Sequence, residues 1–106
     1  QWTTYLRTIK QRGPVALFGV GNLSIAFVNY LGLKEYIDFA VDDNVNKQGL
    51  FFPGARTPII STRDMEKRKP ILILFGVGSV RREFFEARWR KAIGDEVMIR
   101  SIFPEE

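Results

Sequence analysis

The sequence predicts an α/β domain of three layers, in which a mostly parallel sheet of about five strands lies between helices. Two observations carry the prediction. Short apolar runs alternate along the chain with segments of helical spacing. Two of those runs, Val15 to Phe18 and Ile71 to Phe75, each lead through a Gly-x-Gly turn into a helical segment. Strand, tight glycine turn and helix make the first half of a βαβ unit, and βαβ units build parallel sheets.

The elements follow in order. Trp2, Tyr5, Leu6 and Ile9 fall at i, i+3, i+4 and i+7, one apolar stripe of a first helix that packs on the sheet. Lys10 to Arg12 suit its C-terminus and Gly13 the residue just beyond. Val15 to Phe18, bounded by Pro14 and Gly19, reads as a strand buried on both faces. The helix after it runs from Leu23 to Leu31, with Leu23, Ala26, Phe27 and Tyr30 as its apolar positions and Gly32 at its end. Phe39 to Val41 is a second buried strand.

Residues 45 to 58 read as irregular, with turn signals at Gln48-Gly49 and Pro53-Gly54. Leu50 to Phe52 form either a brief extended piece or an apolar lid. Thr57 to Ile60 is a third strand. Ser61 caps a short basic helix that stops at Lys69-Pro70, with Asp64 in its first turn. Ile71 to Phe75 is the most apolar run and reads as a central strand. Val80 to Ile93 follows as a helix with Val80, Phe84, Ala87 and Ile93 on one side. Val97 to Ile102 is a last, edge strand, and order ends at Pro104. Right-handed crossovers put the first and fourth of these strands side by side at the centre.

Bulk composition sets the bounds. The chain has 106 residues, the size of one domain, and 45% of them are hydrophobic, enough for a real core. No apolar run approaches the ~20 residues that span a bilayer, and there is no secretory-signal pattern. Cysteine is absent, which fits a cytoplasmic protein and excludes disulfides and thiolate metal sites. Histidine is absent too, so Ser-His-Asp and Cys-His chemistry is excluded. The net charge of +4 is modest, and its basic clusters, Arg63 to Lys69 and Arg81 to Lys91, lack the aromatic interleaving of nucleic-acid binders. They read as solvated helix faces or as a docking surface for an anionic ligand or neighbouring domain. The chain begins with Gln1 rather than Met and is read as a piece of something longer.

Candidate ligand contacts gather at the carboxyl ends of the strands. Gly19, Gly21 and Asn22 form the first turn, and Gly76, Gly78 and Ser79 the second. Backbone amides at a helix N-terminus favour a phosphate. The dinucleotide fingerprint Gly-x-Gly-x-x-Gly is incomplete, because Ser24 holds its third place. The turn is therefore equally an ordinary α/β connection. Asp42 lies twenty-one residues after Gly21, where an acid binds a ribose hydroxyl in dinucleotide-binding units. Asp42-Asp43-Asn44 is equally a common turn cluster. Lys47 offers a charge to a ligand, or an anchor tying the loop to Asp42 or Asp43.

One pattern is more specific. Asn29-Tyr30-x-Gly32 is followed by Val41-Asp42-Asp43-Asn44-x-x-Lys47-Gln48-Gly49-x-x-x-Pro53-Gly54-x-x-x-Pro58-Ile59. From about Val15 to Phe75 the chain resembles the C-terminal domain of the SAM-dependent C-methyltransferases that act on nucleotide-linked deoxysugars. The resemblance implies a Rossmann-like domain, residues 1 to 106, at the end of a longer protein. It implies a catalytic domain elsewhere in the same chain, where SAM binds, and no catalytic residue or cofactor here. This domain would bind or cover a nucleotide-sugar or similar phosphorylated ligand. Two positions depart from the family: Leu23 and Ser24 stand for a usual Lys-Gly pair, and Gly76-Val77-Gly78 for a usual Trp-Asn. Two other readings remain: a stand-alone NAD- or nucleotide-binding module, and an interaction domain with an apolar patch around Trp2, Phe51 and Phe52.

Overall fold

The computed structural model describes residues 1–78 and 81–103. Five strands, β1 (Val15–Phe18), β2 (Phe39–Val41), β3 (Ile59–Ile60), β4 (Leu72–Phe75) and β5 (Met98–Ser101), form one sheet in the order β3-β2-β1-β4-β5. Every pairing is parallel. β1 is central, and Phe18 stands in register with Phe75 and Val41. Four α-helices accompany the strands among the described residues: α1 (Trp2–Lys10), α2 (Asn22–Leu31), α3 (Thr62–Arg68) and α4 (Arg82–Ile93).

The sheet separates two apolar cores. Alternate residues of β1 point to opposite faces, as strand geometry requires. Val15 and Leu17 join Leu6 and Ile9 of α1 and Val28 of α2. Ala16 and Phe18 join Met65 of α3 and Trp89 of α4. The three-layer α/β expectation therefore holds. β1 and β4 are buried throughout, the signature of strands covered on both faces.

Two helices present different faces from those their periodicity suggested. In α2, Ser24 and Val28 are the fully buried residues, while Leu23 is 66% exposed and Tyr30 90%. Ala26 is exposed too; of the expected core stripe of α2 only Phe27 packs against the core. The cause is crowding at the turn. Ser24 Oγ donates to Gly19 O at 2.6 Å, and a Cβ added to Gly76 would come within 3.1 Å of Ser24 Cβ. Only a small residue fits there, and it sets which side of the helix faces the sheet. In α4, Phe85 and Trp89 enter the core and Phe84 is 56% exposed. Val80 and Pro104 lie outside the described residues.

The long β2–β3 connection is an extended piece rather than a lid. Residues 49–52 run antiparallel to residues 57–59: Gly49 N–H donates to Ile59 O, Ile59 N–H to Leu50 O, and Phe52 N–H to Thr57 O at 2.7 Å. Phe52 is buried in the core, which removes it from any surface patch, and Phe51 stays exposed. Thr57 and Pro58 belong to this ribbon, so β3 pairs over two residues only.

Candidate functional site

The carboxyl end of the sheet is assembled from the β1–α2 turn, the β4–α4 turn and the loop after β2. Gly19 leaves β1 at φ +100°, a conformation that side chains rarely adopt. Its N–H donates to Val41 O at 2.8 Å, and Gly76 N–H donates to Phe18 O at 2.9 Å. The tips of β1 and β4 therefore adjoin. The space above them is narrowed by Val77: a Cβ on Gly19 would clash with its Cγ1. Gly19 and Gly76 are buried, whereas Gly21, Asn22 and Gly78 are exposed. Ser79 lies outside the described residues.

Gly21 is the N-cap of α2, and its N–H donates to Ser24 Oγ at 3.1 Å. The amides of Asn22 and Leu23 fall in the first helical turn, which has no intrahelical carbonyl to meet. Both residues are exposed, beside the positive end of the helix dipole. This is the one part of the turn open to an anion.

Asp42 and Lys47 are committed to the backbone of that turn. Asp42 Oδ2 accepts from Val20 N–H at 3.2 Å, and Oδ1 accepts from Asn44 N–H at 2.9 Å. Lys47 Nζ donates to Val20 O at 2.7 Å and lies 3.5 Å from Asp42 Oδ2. The pair clamps both polar groups of Val20. Asp42 stands beside the glycine turn, with its carboxylate oxygens already occupied once each.

The remaining motif residues hold the loop. Asp43 accepts from Thr62 N–H at 2.9 Å and Thr62 Oγ1 at 2.7 Å, fixing the start of α3. Gln48 Nε2 donates to Asp42 O at 3.0 Å. Asn29 Nδ2 donates to Pro53 O at 3.0 Å, and a Cβ on Gly54 would sit 2.5 Å from Asn29 Oδ1.

Two concavities lie away from the glycine turns. The larger, about 770 Å³, is at the amino end of β2, lined by Lys10, Asp38, Arg56 and Thr57 among others. Its best-formed charges already satisfy each other: Asp38 accepts from Lys10 Nζ at 2.8 Å and from Val15 N–H at 2.8 Å. A second, about 380 Å³, sits at the carboxyl end of β5, lined by Trp2, Arg82, Arg100, Ser101 and Phe103 among others. Nothing in the sequence links Trp2 to Arg100, because no local spacing joins the two chain ends. No group of three or more Asp or Glu residues that could hold a metal is found among the described residues. None of the described helices is long and apolar enough to cross a membrane.

Sheet order, glycine turn and helix placement define a Rossmann-like α/β domain. The chain belongs to the C-methyltransferase C-terminal domain family, whose profile matches residues 1–89. Two solved structures share the fold. RSP, a Rex-family repressor, aligns with a TM-score of 0.62 at 14% identity, covering 96% of this chain and 59% of that one. RSP in complex with β-NADH aligns with a TM-score of 0.62 at 15% identity, covering 85% and 53%. This chain thus spans little more than half the length of either. No curated protein matches it.

Proposed function

We propose that this domain is the accessory, non-catalytic part of a C-methyltransferase and receives the diphosphate of a nucleotide-linked sugar at the β1–α2 turn. The methyl transfer itself, and SAM, belong to a catalytic domain of the same protein. The observation that carries the reading is the exposed first turn of α2, Asn22 and Leu23, at the carboxyl end of central β1. In parallel α/β sheets ligands bind outside that edge, beside the strand where the order reverses. Family membership supplies the methyltransferase context. The RSP complex with β-NADH supports a nucleotide as the class of ligand for a domain of this build.

The outward stripe of α2 supports the partner domain. Leu23 and Tyr30 are large, exposed and one helical face apart from the core. Such a stripe fits burial against another domain. Leu23 also replaces the lysine usual in the family, so here the backbone alone holds the phosphate charge. The affinity expected is correspondingly weak, since a lysine would add a charge-assisted hydrogen bond.

Calorimetric titration with a thymidine diphosphate sugar, with NADH and with SAM tests the assignment. Binding of the diphosphate sugar, with none of SAM, is expected. Tight NADH binding in preference to the sugar nucleotide would favour a stand-alone dinucleotide module. No response to either nucleotide would leave an interaction domain.

A further inference from the structure

The concavity at the carboxyl end of β5 has the makings of a second anion site, built by the two ends of the chain. Arg100 lies with its guanidinium carbon 4.8 Å from the Trp2 ring centre and 4.4 Å from that of Tyr5. Trp2 is itself held edge-on by Tyr5 and Phe27, at 6.0 and 5.1 Å. A guanidinium lying on aromatic faces keeps its in-plane N–H groups for an acceptor. Among the described residues no carboxylate pairs with Arg100, although Arg82, Arg88, Lys10 and Lys47 each have one.

Arg82, from α4, lines the same concavity. Its Nε donates to Glu86 Oε1 at 2.7 Å and its Nη2 to Ile99 O at 3.0 Å. Those two bonds fix the side chain and leave Nη1 over. Two guanidinium groups line about 380 Å³, and guanidinium N–H groups are donors that phosphoryl oxygens take in bidentate fashion.

We propose that Arg82 and Arg100 form a phosphoryl-binding subsite, flanked by the indole of Trp2. Ser101 stands in register with Phe75, and Phe75 with Phe18. Adjacent strands are ~4.8 Å apart, so this subsite lies roughly 10 Å along the same edge from β1. Val77 narrows the approach over β1 and β4, and the open volume at this edge reappears at β5. The subsite shares no residue with the β1–α2 turn and stands or falls without it.

Pyrophosphate is the probe, and Trp2 reports it. Trp89 is fully buried on the other face of the sheet, so a change in the half-buried indole's emission belongs to Trp2. Saturable quenching or enhancement by pyrophosphate is expected, absent in Trp2→Phe and not reproduced by sodium chloride at matched ionic strength. Arg100→Gln and, separately, Arg82→Lys are expected to weaken binding about tenfold or more, with unfolding midpoints close to that of the parent protein. A nucleoside diphosphate binding more tightly than pyrophosphate would assign the subsite to a nucleotide; equal affinity would assign it to a free phosphate. Unchanged affinity in Arg100→Gln, or a response that chloride reproduces, overturns the proposal.

Discussion

Val77 decides how much room the glycine turn offers. Its methyl group packs over Gly19. Gly19 therefore serves two needs at once, the positive φ of the turn and the clearance of that methyl. Truncating Val77 to Ala removes two methyl groups from a half-buried position, which costs about 1 kcal/mol of stability. It also widens the space over β1 and β4. Tighter binding of a sugar nucleotide, read by calorimetry against a slightly lowered unfolding midpoint, is the expected pair of effects. A stability loss with unaltered affinity would mean that ligand never enters above β1. Asp42 and Lys47 show the limit of single-residue inference. Their types and spacing fitted a ribose acid and a phosphate lysine. Equally, they fitted the clamp on Val20 that the fold builds from them. A sequence cannot separate these, because a backbone N–H and a ribose hydroxyl ask the same carboxylate for the same hydrogen bond.

The family pattern acts at the scale of the element. Asn29 on α2 reaches Pro53, Gly54 turns beneath it at φ +84°, and Gln48 and Asp43 tie the same loop to β2 and α3. The motif is thus the wiring of one long connection. Gly54→Ala forces a side chain into a left-handed turn 2.5 Å from Asn29 Oδ1. A loss of about 1–3 kcal/mol is expected, measured by denaturant unfolding, while Gly54→Asn, which tolerates that backbone better, recovers part only if Asn29 moves aside. No loss in Gly54→Ala would contradict the packing of α2 on the loop. Elements were legible where one period dominated. The strands at Val15 and Ile71 read correctly because unbroken apolar runs leave no face to misassign. α2 misled because both its sides are apolar, and the buried side was chosen by Ser24 meeting Gly76, a contact between distant segments. α4 misled in the same manner, since Phe84 and Phe85 are adjacent and only packing against Phe18 and Phe75 selects Phe85.

At the scale of the whole molecule, the sheet order β3-β2-β1-β4-β5 brings three features to one edge. They are the amides of α2, the clamp at Val20 and the arginine-lined concavity beside Trp2. The first two were foreseeable from glycines and an acid at a known distance. The third was not, since Trp2 and Arg100 meet only once α1 and β5 are packed. The amino edge holds the larger concavity, yet its Lys10–Asp38 pair is spent on starting β1. The α2 stripe faces outward beside the ligand edge, so a catalytic domain covering it would also enclose whatever the turn holds. Two surfaces of one helix thus differ: Ser24 and Val28 fasten it to the sheet, and Leu23 with Tyr30 stays exposed.

The most direct test is an amide chemical-shift map of the domain titrated with a thymidine diphosphate sugar. The account predicts the largest shifts at Gly21, Asn22 and Leu23, with little change at Lys10, Asp38 or Arg56. Shifts centred on that second group, or none at the β1–α2 turn at saturating ligand, would contradict it.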